Sequence, residues 1–136
     1  MMTKNFMLII LGILSVLSLQ GQTQQNSASI IKQIDKQVES PIYRLFSTDN
    51  YWTFIKLDTR NGKMWQVHFT ISQEGYEGEL ILNPDSLVLT TEEVNGRFTL
   101  YPTKNTYNFI LLDQINGKTY HVQWNSEKEK RFVSRI

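Results

Sequence analysis

The chain carries one passage twice. Phe54 to Phe69 reads FIKLDTRNGKMWQVHF, and Phe109 to Trp124 reads FILLDQINGKTYHVQW, 55 residues further on. The match extends without a gap to Tyr43–Phe69 against Phe98–Trp124. Of 27 aligned positions, 11 are identical: Leu45/Leu100, Thr48/Thr103, Asn50/Asn105, Phe54/Phe109, Ile55/Ile110, Leu57/Leu112, Asp58/Asp113, Asn61/Asn116, Gly62/Gly117, Lys63/Lys118 and Val67/Val122. Five more keep an aromatic ring: Tyr43/Phe98, Phe46/Tyr101, Trp52/Tyr107, Trp65/Tyr120 and Phe69/Trp124. A gapless match of this density marks a duplicated structural unit.

From Ile42 onward aromatic and β-branched residues dominate, with turn residues at short intervals, so the unit is built of strands. Each copy predicts a strand (Tyr43–Phe46; Phe98–Tyr101), a loop, a long strand (Trp52–Asp58; Tyr107–Asp113), a tight turn and another long strand (Lys63–Ile71; Lys118–Asn125). A short fourth strand closes each copy, Glu79–Asn83 and Phe132–Ile136, and Leu87–Thr90 is a candidate ninth. The expected fold is one mostly-β domain over 22–136, with repeats at 43–83 and 98–136. Its eight or nine antiparallel strands form two meanders, arranged as a barrel or a sandwich. The four-stranded unit also resembles a propeller blade, but two blades cannot close a ring by themselves.

Asn61-Gly62 and Asn116-Gly117 are hairpin-turn signals. A two-residue turn would set Trp65, Val67 and Phe69 beside Asp58, Lys56 and Phe54. A three-residue loop sets them beside Leu57, Ile55 and Thr53, a cleaner apolar face. In the second copy it pairs Tyr120 with Leu112, Val122 with Ile110 and Trp124 with Asn108. A one-residue slip exchanges the two faces of a strand. The three-residue loop is therefore the expectation, with Gly62 and Gly117 left-handed and Asp58 and Asp113 accepting turn N–H groups.

On that register the opposite face carries Trp52, Phe54, Lys56, Gln66 and His68 in one copy and Tyr107, Phe109, Leu111, His121 and Gln123 in the other. Aromatic rings interleaved with amides and imidazoles suit a ligand surface, although aromatics on strands are also ordinary core residues. The candidate ligand-binding residues are Trp52, Phe54, Gln66, His68, Tyr107, Phe109, His121 and Gln123.

The opening MMTKNFMLIILGILSVLSLQGQ places Lys4 before an apolar stretch of about 14 residues, the form of a signal peptide and short of a membrane span. Cleavage is expected within two residues of Gly21, giving an exported, periplasmic or secreted chain with no membrane insertion afterwards. Gln22–Ser29 reads as a flexible leader. Ile30, Ile31, Ile34 and Val38 then recur at helical spacing before Pro41, predicting an amphipathic helix over 28–39 that packs on or caps the sheets.

The chain contains no cysteine, so neither a disulfide nor a lipid-bearing cysteine is available. It has 14 basic and 13 acidic residues. Lys4 is the only charge in the signal segment, which leaves 13 against 13 without it. Such a balance offers no basic stripe for nucleic acid. The run Glu127–Arg131 alternates in sign and reads as a solvated turn.

The sequence has no nucleophile elbow and no phosphate-cradling glycine loop. His68 and His121 are not repeat equivalents, and no third ligand is placed for a metal. No cofactor is implied. Glu74, Glu77 and Glu79 could serve a hydrolase only at a fixed carboxylate separation. The stretch Gly96 to Trp124, GRFTLYPTKNTYNFILLDQINGKTYHVQW, resembles small exported proteins of Bacteroidetes-type bacteria, a group with no established function; the resemblance implies export and brings no catalytic residues. The functional expectation is a non-enzymatic binding protein for a glycan or peptide. The alternative is a periplasmic inhibitor or immunity protein neutralising a single protein partner.

Overall fold

The structure, a computed structural model of the chain, describes residues 21–33, 35 and 40–136. It divides into two compact units, residues 1–39 and residues 40–136. In the first, residues 21–33 and 35 are helical. The helix expected over 28–39 is therefore already formed at residue 21, the first described residue, and takes in the stretch read as a flexible leader. Within that stretch Ser27 Oγ donates to the Thr23 carbonyl and Ser29 Oγ to that of Asn26, each at 2.8 Å, so both hydroxyls are satisfied by the helix's own backbone. The side chains of residues 21–33 are all exposed, Ile30 and Ile31 at 54% and 58%. Ile34 and Val38 lie outside the described residues, as does the expected signal peptide apart from Gly21. No described helix is long and apolar enough to cross a membrane.

The second unit holds eight strands: β1 (Tyr43–Ser47), β2 (Thr53–Asp58), β3 (Met64–His68), β4 (Gly78–Asn83), β5 (Phe98–Pro102), β6 (Asn108–Asp113), β7 (Thr119–Gln123) and β8 (Phe132–Arg135). They form two four-stranded antiparallel meanders, β1-β2-β3-β4 and β5-β6-β7-β8, that do not close into a barrel. The candidate ninth strand at Leu87–Thr90 is instead a loop ending in a short 3-10 turn, Thr90–Glu92. Ser86 opens that loop, its hydroxyl donating to the Val88 carbonyl at 2.6 Å, and the Leu87 N–H donates to the Asn61 carbonyl of the first hairpin turn at 2.8 Å, so these groups are satisfied without a ladder.

The register departs from the three-residue expectation. Asp58 pairs with Lys63 and Asp113 with Lys118, their N–H groups donating across at 2.9 and 2.8 Å. Each hairpin loop thus has four residues, Thr59–Gly62 and Gln114–Gly117. Trp65 stands opposite Lys56, Val67 opposite Phe54, Gln66 opposite Ile55 and Met64 opposite Leu57. In the second sheet Tyr120 stands opposite Leu111, Val122 opposite Phe109 and His121 opposite Ile110. The cause lies under the turn. The Asp58 carbonyl accepts from the Asn61 and Gly62 N–H groups, while its carboxylate accepts from the Arg60 N–H at 3.0 Å. In the second copy the Asp113 carboxylate accepts from Ile115 and Asn116. The aspartate caps the turn as expected, but it also occupies the last rung of the ladder, and this takes one more residue into the loop. Gly62 and Gly117 take the expected positive φ, 81° and 75°.

With this register the two copies bury opposite sides of the same unit. In the first sheet Ile55, Leu57, Met64 and Gln66 are wholly buried. Their counterparts Ile110, Leu112, Thr119 and His121 are only half-buried. In the second sheet Phe98, Leu100, Phe109, Leu111, Tyr120, Val122 and Trp124 are buried. Their counterparts Tyr43 and Leu45 are exposed, and Phe54, Lys56, Trp65 and Val67 half-buried. One cluster joins Ile55, Leu57, Met64 and Leu82 of the first sheet to the seven buried apolar residues of the second. The sheets therefore stack front to back around a shared core, and the Trp65/Val67/Phe69 stripe, expected inside, lies outside it.

Two carboxylates anchor the turn ends. Arg97, 6% exposed, grips the fully buried Asp113 through Nε and Nη2. Arg60 does the same for Asp58 from a more solvated position. Burial would raise both carboxyl pKa values, but the arginine and backbone hydrogen bonds outweigh it and hold both below the ordinary range. Depressed folded values mean the stabilisation is complete above the unfolded pKa near 4 and is lost as pH falls through the folded values. Asp113→Asn leaves Arg97 buried with an uncompensated charge and is expected to cost about 3–5 kcal/mol in urea unfolding at pH 7. Asp58→Asn is expected to cost less, because water reaches Arg60. The glycines separate similarly. A Cβ at Gly62 would stand 2.7 Å from Leu87 Cδ1, whereas one at Gly117 meets open space. Gly117→Val should cost about 1–2 kcal/mol for its backbone alone, and Gly62→Val more, read as the larger fall in melting temperature.

Candidate functional site

The end of the stack remote from the Asn-Gly turns is organised by two more repeated pairs of residues. Thr48 Oγ1 bonds the Thr53 carbonyl at 2.8 Å, and Asn50 Oδ1 accepts the Trp52 N–H at 2.8 Å. Thr103 and Asn105 do the same for Asn108 and Tyr107, at 3.1 and 3.0 Å. These side-chain turns fix Trp52 and Tyr107 at the entry to the second strand of each sheet. The carbonyls of both then accept from the end of the third strand, from Phe69 and Trp124, each at 3.0 Å.

Each fixed ring meets its partner edge to face or tilted. Trp52 and Phe69 stand with centroids 5.3 Å apart, Tyr107 and Trp124 5.2 Å apart. The indole Nε1–H of Trp124 donates to the Thr106 carbonyl. A cleft of about 620 Å³ opens where the two pairs come together. Asn50, Thr70, Tyr76, Asn125 and Ser126 contribute to its rim. Glu127 and Lys130, the charged groups of the lining, are bonded to each other at 2.6 Å.

His68 also lines the cleft. Its Nδ1 lies 3.2 Å from Thr53 Oγ1 and its ring 5.7 Å from that of Tyr76. Its Nε2 is buried and has no protein partner. Burial, and then the charge of Arg131, hold its pKa below the ordinary histidine value, so the imidazole is neutral at pH 7. Its Nε2 is a donor or an acceptor according to the tautomer, and it is closed off from solvent.

The expected ligand-binding residues thus divide. Trp52, His68 and Tyr107 come together in the cleft. Phe54 lies on the outward side of the first sheet, and Phe109 is core. Gln66 is fully buried behind the cleft, its Nε2 donating to the Asn125 carbonyl at 2.9 Å. Gln123 ties the rim from its other end, donating to the Lys130 carbonyl at 2.8 Å. His121 lies on the outward side of the second sheet, edge-on to Phe132 at 4.9 Å. The one-face constellation failed because it rested on the three-residue register. Phe69, Trp124, Tyr76 and Asn125 are additions. Phe69 and Trp124 belong to the repeated aromatic positions, and Thr48/Thr103 with Asn50/Asn105 marked the loops that build this end.

Glu79 does not reach the cleft; it pairs with Lys56 on the outward side of the first sheet. Glu77 accepts the Thr70 N–H within its own loop. Among the described residues no group of three His, Cys, Asp or Glu side chains is placed to hold a metal ion. No family model, curated protein or solved structure matches the chain.

A lowered histidine pKa has a definite sign. Between the unfolded value near 6.5 and the lower folded value the unfolded chain binds more protons, so stability falls as pH falls. The loss should not exceed about 1.4 kcal/mol per pH unit for this one group. Urea unfolding at pH 7.5 and 5.5 should show it in the native chain, and His68→Gln should flatten the difference.

Proposed function

We propose that this is a non-enzymatic, exported binding protein whose ligand is a short neutral glycan held in the cleft between Trp52 and Tyr107. The observation that supports it most is the pair of aromatic edges converging on one cleft with a rim of amide and hydroxyl groups. Sugar rings offer apolar C–H faces to aromatic walls and hydroxyls to amide and imidazole groups, the mixture that small-ligand clefts supply. The charges of the lining neutralise each other, which favours an uncharged guest. A peptide commonly docks by adding a strand to a sheet edge, whereas this cleft is lined by side chains at strand ends. The N-terminal apolar stretch supports export.

Trp52 and Tyr107 are 44% and 47% exposed, so truncating them should spare the core. Each replacement by Ala should cost about 1 kcal/mol of stability, the worth of an aromatic pair. The double variant should lose at least about tenfold in affinity for cellotetraose or chitotetraose by calorimetry, with its circular dichroism unchanged. Absence of glycan binding by the native chain, together with recovery of one stoichiometric protein partner from the cell envelope, would favour the inhibitor reading instead.

A further inference from the structure

The duplicated unit has two sides, and inside the chain they are packed against each other. The side of the first sheet that holds Ile55 and Leu57 lies on the side of the second sheet that holds Phe109 and Leu111. Each sheet turns its other side outward. The outward side of the first sheet is the repeat equivalent of the side the second sheet buries, and the converse is equally true. Both ends of the stack are therefore halves of an interface that the molecule already makes once.

We propose that a second copy of this chain completes it, the outward side of the second sheet of one copy packing on the outward side of the first sheet of the next. The contact is heterologous, head to tail, and continues the internal stacking step. Both surfaces carry exposed apolar groups. Leu45 and Ile81 are 60% and 56% exposed at one end, Tyr101 51% at the other. Half-buried Trp65 and Val67 lie among the first pair, and half-buried Ile110 and Leu112 beside the last.

The polar groups fit the same step. Lys56 occupies the position of the buried Leu111, but its ammonium is paired with Glu79 and lies 4.8 Å from the Trp65 ring. Docking therefore covers a neutralised pair and not a lone charge, which would be far costlier. At the internal interface Gln66 donates to the Asn125 carbonyl. The repeat puts His121 in the place of Gln66 and Thr70 in that of Asn125, so the new interface offers the imidazole of one copy to the Thr70 carbonyl of the next. Heterologous steps close into a ring or run on as a filament. Closed rings of four-stranded blades typically hold about 4–8 blades, hence roughly two to four chains of two blades each.

Sedimentation velocity of the full chain at about 50 µM should give a species of roughly two to four times the chain mass, or a filament series. Leu45→Asp spoils one end and Tyr101→Asp the other; each variant alone should be monomeric. Mixed in equal amounts they should form a heterodimer and stop, because each retains the end its partner lacks. Leu45→Ser and Tyr101→Ser serve if circular dichroism shows that an aspartate variant is unfolded. A monomeric native chain overturns the proposal. So does a variant that keeps its oligomer alone, which would mean like faces pair, or a mixture that stays monomeric. In each of those cases the faces belong to another occupant, the chain's own N-terminal segment or an unrelated protein.

Discussion

An aspartate carboxylate folded beneath each hairpin turn sets the register on which everything else here depends. Asp58 and Asp113 close the last rung of their ladders and cap the four residues that follow. A loop one residue shorter would turn every side chain of the third strand to the opposite side. Gln66 would then leave the core, and Trp65 would enter it. Buried acids of this kind persist only with their charge satisfied, and Arg60 and Arg97 are the residues that satisfy it. The two turns share the acid, asparagine and glycine but recruit their arginines from different places, one within the loop and one from the segment leading into β5.

Much of the architecture was legible in the letters. The repeat located both meanders, the Asn-Gly pairs located both hairpins, and the left-handed glycines and capping aspartates followed from turn chemistry. Hydrophobic alternation, however, could not decide which side of the strands was inner. In a front-to-back stack both sides of the unit are packed somewhere, one in the first copy and the other in the second. Phe54/Phe109 and Ile55/Ile110 are adjacent, identical and on opposite sides, and each pair is more deeply buried in a different copy. A pattern that selects the more apolar face assumes that the other face meets water. That assumption fails here, and the candidate surface drawn from it scattered while its two ring anchors, fixed by loops and not by strand parity, stayed together with His68.

The cleft follows from the same stacking. Equivalent aromatic pairs end equivalent hairpins, and setting one sheet against the other brings the pairs to opposite walls of one depression. Its two walls are not alike. One wall is backed by the neutral, half-buried His68, whereas the corresponding position in the other copy is Gln123, already engaged with Asn108 and Lys130. Duplication supplies the walls, and divergence supplies the polar group that distinguishes them.

Thr59, fully buried in the first turn, links parts of the chain that are made at different times. Its hydroxyl donates to the Pro41 carbonyl and accepts the Gly96 N–H, while its own carbonyl accepts the Phe98 N–H at 2.7 Å. Its counterpart, Gln114, is exposed and reaches only the Gly96 and Arg97 carbonyls. During synthesis the first hairpin can zip early from its local contacts, but its turn stays unfinished until the residues opening the second meander have emerged. The first repeat is thus a template and the second its completion, coupled through this turn as well as through the shared core.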